Sequence, residues 1–121
     1  MAGDSPGVVH IGWYATVFRG DRFEKALADI AAVALRYGAV DFEVRRSGED
    51  RYRFLQTATF QDRADFYAYW EGPEFNDFRA RYGSWFQVPV TYDWYDRVVH
   101  GEIETGAEEL REAHGAPAGE H

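Results

Sequence analysis

Phe54 to Tyr82 reads FLQTATFQDRADFYAYWEGPEFNDFRARY, and four structural signals succeed one another along it. The stretch opens with β-forming residues that place Phe54, Gln56 and Ala58 on one side of an extended chain and Leu55, Thr57 and Thr59 on the other. Asp62 then stands before a run carrying Phe66, Tyr69 and Trp70, where its carboxylate can cap a helix. Gly72-Pro73 ends that helix and starts another, because proline fits a first turn. Phe75, Phe78 and Tyr82 recur at helical spacing, and Gly83 closes the run.

The preceding chain supplies three further elements. Val8 to Phe18 predicts a strand with Val9, Ile11, Trp13, Ala15 and Val17 on one face and His10, Gly12, Tyr14, Thr16 and Phe18 on the other. Asp21 and Glu24 have the spacing of a capping box. Phe23, Leu27, Ile30, Ala34 and Tyr37 continue as a helical stripe up to Gly38, a residue suited to a left-handed terminus. Ala39 to Arg46 alternates Val40, Phe42 and Val44 with Asp41, Glu43 and Arg45, which predicts a strand in an antiparallel hairpin with the segment from about Arg51 to Phe60. Downstream, Trp85 to His100 is strand-like, with Phe86, Val88, Val90, Tyr92 and Trp94 facing one way and Pro89 limiting it to an edge or a bulge. The expected domain therefore spans residues 8–103, between a disordered lead-in at 1–7 and an acidic tail at 104–121 with a short helix near 107–113.

Bulk properties exclude several functions. A chain of 121 residues holds one domain. Its net charge of -8 argues against a nucleic-acid partner, which needs a concentrated positive surface. With no cysteine there is no disulfide, thiol nucleophile or thiolate metal site. No apolar run reaches the ~20 residues of a membrane-spanning helix, so no membrane partner and a cytoplasmic location are expected. Aromatic residues make up 17% of the chain, more than a small core usually needs. Part of that set is expected to line a cavity or a subunit interface.

Strand, helix, strand, strand, helix pair, strand is the order of a ferredoxin-like α+β sandwich with helices on one face of an antiparallel sheet. One helical layer leaves the other face open, and aromatic residues are expected there. A homodimer with its sheets face to face, enclosing a barrel-like space, would cover it.

With the hairpin and the quoted stretch together, the chain resembles the antibiotic biosynthesis monooxygenase group of the dimeric α+β barrel superfamily, over roughly residues 8–99. The resemblance implies a cofactor-independent oxidation, by O₂, of a hydrophobic aromatic molecule of polyketide or quinol type, with neither metal nor flavin. Other members degrade haem, and many have no known activity. Where many members carry Glu late in the third strand and His in and after the next helix, this chain has Ala58, Tyr69 and Glu74. These departures favour an alternative: a non-catalytic ligand-binding or accessory protein on the same fold. Trp70, beside Tyr69, matches the aromatic wall of the cofactor-free enzymes.

Such an oxidation needs an apolar cage and a polar group that helps form the substrate's anion. His10 and Tyr14 are the catalytic candidates, and Trp13, Phe66, Tyr69, Trp70 and Trp94 the substrate-binding ones. The same aromatic spacing also arises from core packing. His10, His100, His114 and His121 are scattered, so no metal site is expected and a haem ligand could come only from His10 or His100. Ser5, Ser47 and Ser84 have no neighbouring His, and no G-x-S-x-G occurs.

Overall fold

A computed structural model describes residues 6–103. The expected tail helix and most of the lead-in lie outside the described residues. The elements are β1 (Gly7–Tyr14), α1 (Gly20–Val33), a 3₁₀ turn (Ala34–Tyr37), β2 (Ala39–Arg46), β3 (Arg53–Phe60), α2 (Arg63–Trp70), α3 (Pro73–Tyr82), a second 3₁₀ turn (Gly83–Trp85) and β4 (Tyr92–Asp96). The four strands form one antiparallel sheet in the order β2-β3-β1-β4. This is the ferredoxin-like α+β arrangement that the element order predicts.

Strand periodicity fixes what each face does. Val9, Ile11 and Trp13 of β1 and Phe54, Gln56, Ala58 and Phe60 of β3 are fully or almost fully buried. In the register, Trp13 lies opposite Phe54 and Ile11 opposite Gln56. All three helices cover this face: Phe23 of α1 meets Phe54 at 5.4 Å between ring centroids, Phe66 of α2 meets Phe60 at 5.8 Å, and Phe75 of α3 stacks on Trp13 at 6.2 Å. Edge-to-face and offset contacts of this kind add about 0.5–1.5 kcal/mol per pair beyond burial. They account for a core built largely of rings.

Helix ends follow local chemistry, with one exception. Asp62 Oδ1 accepts from the Ala64 amide at 2.9 Å and caps α2 as expected. Gly72 precedes Pro73 at the start of α3, and Gly38 has φ 102°, in the left-handed region. The expected Asp21–Glu24 capping box does not form: α1 starts at Gly20 after Arg19, with no side-chain cap. Both carboxylates instead accept from Arg46 Nη1 of β2, at 2.9 Å each, tying helix to strand. An arginine opposite two carboxylates attracts them more strongly than a backbone amide does.

The last strand is shorter than the sequence pattern predicts. Trp85 lies in a 3₁₀ turn, Phe86 makes only an isolated bridge to Ala15, and regular pairing begins at Tyr92. Val88-Pro89 interrupts the run, since proline donates no ladder hydrogen bond. β1 likewise ends at Tyr14, which leaves Val17 and Phe18 exposed. The aromatic residues expected on the open face lie mostly on the covered one, because Tyr92 and Trp94 pair with Ile11 and Val9. The open face carries Val8, His10, Tyr14, Leu55, Thr57, Thr59, Asp93 and Tyr95, a mixed surface.

Candidate functional site

The sheet divides the residues that the sequence nominates. Trp13, Phe66, Tyr69, Trp70 and Trp94 belong to the helix-covered side, and His10 and Tyr14 lie on the open face. The wall and the polar group therefore do not converge on one pocket within a single chain. Period-two alternation causes the separation: Trp13 and Tyr14 are neighbours in β1 and point to opposite sides.

On the covered side, a chain of hydrogen bonds crosses the aromatic core. Trp13 Nε1 donates to Gln56 Oε1 at 3.0 Å, Gln56 Nε2 donates to the Tyr69 hydroxyl at 3.0 Å, and that hydroxyl donates to the Ile30 carbonyl at 2.6 Å. Gln56 is fully buried, so each of these bonds satisfies a group that water cannot reach. Burial holds the Tyr69 hydroxyl well above its ordinary pKa, against a smaller opposing effect of the Gln56 bond. The hydroxyl thus remains a neutral donor, committed to Ile30. Trp70 packs with Phe75 at 4.8 Å and Tyr92 at 5.2 Å between centroids. Arg79 lies 4.5 Å from both the Trp70 and Phe75 rings and donates to the Trp70 carbonyl at 2.7 Å. Partial burial lowers the Arg79 pKa, with the Glu71 charge opposing that shift.

Gln56 and Arg79 are the two polar residues of this side that sequence reading does not nominate. A signal existed for Gln56, a polar side chain at a core-facing position between Phe54 and Ala58. Arg79 continues the Phe75–Phe78 face of α3 one residue on, and its long stem lets the guanidinium fold back over the rings.

The open face has different chemistry. His10 sits opposite Thr57 on one side and Asp93 on the other, with its ring edge-on to Tyr95 at 4.9 Å. A cleft of about 610 Å³ is formed here by Val8, His10, Tyr95, Val98 and Val99 together with the charged side chains of Asp93, Asp96 and Arg97. Val98 and Val99 are 91% and 86% exposed and Tyr95 58%, so apolar surface is left uncovered around an imidazole. Tyr14 lies four residues further along the strand, about 13 Å away at strand rise. Its hydroxyl donates to Asp50 Oδ2 at 2.7 Å. That bond raises the Tyr14 pKa and, with the Tyr52 amide, lowers that of Asp50. The Tyr14 hydroxyl is therefore already engaged as a donor to Asp50. One molecule of ordinary size cannot place a single reacting atom against both His10 and Tyr14.

Among the described residues no group of three His, Cys, Asp or Glu side chains is arranged to hold a metal ion, and no helix is long and apolar enough to cross a membrane.

No family model matches the sequence, and no curated protein matches it. Solved structures do match. SnoaB from Streptomyces nogalater, a cofactor-independent oxygenase, superposes with a TM-score of 0.68 at 14% identity, over 79% of this chain and 96% of its own. The fold is that of the antibiotic biosynthesis monooxygenase-like proteins. A protein from Nitrosomonas europaea, provisionally named an antibiotic biosynthesis monooxygenase, gives 0.71 at 19% identity, covering 78% of this chain and 92% of that one. A conserved protein of unknown function from Bacteroides thetaiotaomicron gives 0.67 at 13% identity, over 78% and 99%. The shared architecture thus spans a named oxygenase and proteins of unknown function, the Bacteroides protein being described also as a possible oxidoreductase.

Proposed function

We propose that this chain is a homodimeric, cofactor-independent oxygenase of monooxygenase-like type, acting on a hydrophobic aromatic molecule of polyketide or quinol class. The observation that carries the reading is the open cleft around His10: an imidazole beside Val8, Tyr95, Val98 and Val99, with Asp93, Asp96 and Arg97 completing the lining, and exposed valines that a second copy laid sheet to sheet would cover. The fold it shares with a cofactor-independent oxygenase supports the same reading.

The chemistry asks little of the protein. An electron-rich CH₂ flanked by aromatic rings loses a proton to His10, and the resulting carbanion passes an electron to O₂. The two radicals combine, and loss of water from the peroxide leaves a carbonyl. One oxygen atom enters the product and the other leaves as water. The aromatic residues behind the sheet, Trp70 among them, stiffen the strands that present His10.

A second reading, non-catalytic ligand binding in the same cleft, is favoured by one observation: among the described residues the His10 imidazole has no hydrogen-bond partner to orient it. Oxygen uptake with a hydroxyanthrone-type substrate separates the two, comparing wild type with His10→Ala and Trp70→Phe. Catalysis predicts a rate above buffer that His10→Ala removes. Binding without catalysis predicts quenching of tryptophan fluorescence and an uptake rate equal to buffer in all three proteins. A monomeric mass by light scattering at micromolar concentration would remove the dimer.

A further inference from the structure

A second cavity lies on the opposite side of the sheet from His10, between the outer surfaces of α1 and α3. It is a groove of about 430 Å³, inside the range of pockets that hold small organic ligands. Ile30 and Val33 of α1 and Phe78 and Tyr82 of α3 supply its apolar base. Two small or rigid residues keep it open: Ala26 has no bulk to fill it, and Pro73 fixes the first turn of α3.

Its rim is charged with one sign in excess. Asp29, Glu74 and Asp77 line the groove, with Arg81 as the one lining cation. Arg81 lies 3.5 Å from Asp77, and Arg36 attracts Glu74 weakly from outside the lining, which leaves the rim negative overall. Glu74 is also held in place, because the Tyr37 hydroxyl donates to its Oε1 at 2.6 Å. That hydroxyl comes so near Gly72 that a Cβ there would lie 2.7 Å from it, so the backbone itself makes room for the anchor. An apolar trough under fixed negative charge suits a molecule with an apolar body and a positive end.

We infer that the α1–α3 groove binds small amphipathic amines, with an aromatic or branched aliphatic body lying on Ile30, Val33 and Phe78 and a protonated nitrogen between Asp29 and Glu74. The class is set by two features acting together. The apolar base contributes affinity through burial, and the rim rejects carboxylates of the same shape by like-charge repulsion. The site is separate from the His10 cleft, so it can be loaded while that cleft is empty.

The test uses full-length protein and three matched probes, 1-naphthylmethylamine, 1-methylnaphthalene and 1-naphthoate, by isothermal titration calorimetry at low ionic strength. The amine is expected to bind saturably, at least tenfold more tightly than the naphthoate, with the hydrocarbon between them. Asp29→Asn with Glu74→Gln should reduce the preference for amine over naphthoate several-fold, and added salt should do the same. Ala26→Trp, at a buried position of α1 that lines the trough, should abolish binding of all three probes. Amide chemical shifts in a ¹⁵N spectrum, recorded on wild type and so independent of how any variant folds, should move for Ile30, Val33 and Phe78 on titration. Equal affinity for amine and naphthoate, no saturable binding at millimolar amine, or shifts confined to β1 and β4 would each overturn the assignment. None of these results bears on oxygen uptake at His10.

Discussion

Replacing Gln56 with Leu tests whether the hydrogen-bonded chain through the core stabilises the fold. Gln56 is fully buried, accepts from Trp13 Nε1 and donates to the Tyr69 hydroxyl, each at 3.0 Å. Leucine keeps most of the volume and supplies no acceptor, so the indole N–H is left without a partner among rings. An orphaned buried donor costs about 1–3 kcal/mol. The Tyr69 hydroxyl keeps its bond to Ile30 and adds little further loss. For a domain of this size, that cost lowers Tm by roughly 5–20 °C. Tyr69→Phe should cost a similar amount, since it strands both the Ile30 carbonyl and the Gln56 amide. The double variant should be less destabilised than the sum of the two, by about 1 kcal/mol, because both singles break the same Gln56–Tyr69 bond. Urea denaturation at neutral pH, with an unchanged m-value as the check on two-state behaviour, measures all three. A Gln56→Leu protein as stable as wild type, or strictly additive losses, would refute the reasoning.

Three further outcomes are expected. The Tyr69 pKa is raised on folding from its ordinary 10.0, so its contribution to stability is complete below pH 10 and is lost as pH climbs toward the folded value; alkaline denaturation should be steep in wild type and shallower in Tyr69→Phe. Gly38→Ala should cost about 1–2 kcal/mol in thermal denaturation, because φ is 102° and the new Cβ would lie 2.7 Å from Asp65 Oδ2. Tyr14→Phe removes the main cause of the lowered Asp50 pKa, so an NMR carboxylate titration should find Asp50 moved up toward its ordinary range. The Asp50 contribution to stability, present above that range and lost as pH falls through the lowered value, should shrink in the same variant.

Much of this architecture is legible in the chain because local chemistry and tertiary packing agree. Alternation in Val8–Tyr14 and Phe54–Phe60 marks the covered face, the Asp62 cap and Gly72-Pro73 place two helices, and Gly38 ends the 3₁₀ turn that continues α1. Reading fails where a distant partner competes with a local one. Asp21 and Glu24 have capping-box spacing, yet Arg46 lies 25 and 22 residues away in sequence and takes both. The aromatic residues were readable as a set but not by side. Whether Trp94 faces the helices or the open face depends on its pairing with Val9, a register that no local pattern states. A pocket holding both His10 and Trp70 would have to cross the sheet that runs between them.

The strand order has a consequence for how the protein is made. β1 lies at the centre of the sheet, zipped to β3 from Gly7–Phe60 to Tyr14–Arg53 and to β4 from Gly7–Asp96 to Ile11–Tyr92. The chain leaves the ribosome N-terminus first, so this strand emerges before either neighbour. The β2–β3 hairpin can close on its own, but one edge of β1 stays unpaired until Tyr92–Asp96 has been synthesised. Through most of its synthesis the nascent chain thus carries a strand edge with Val9, Ile11 and Trp13 on it, the surface most open to mispairing. Truncation before β4 should therefore give a sticky intermediate that a chaperone must shield, even though β4 is the shortest strand of the four.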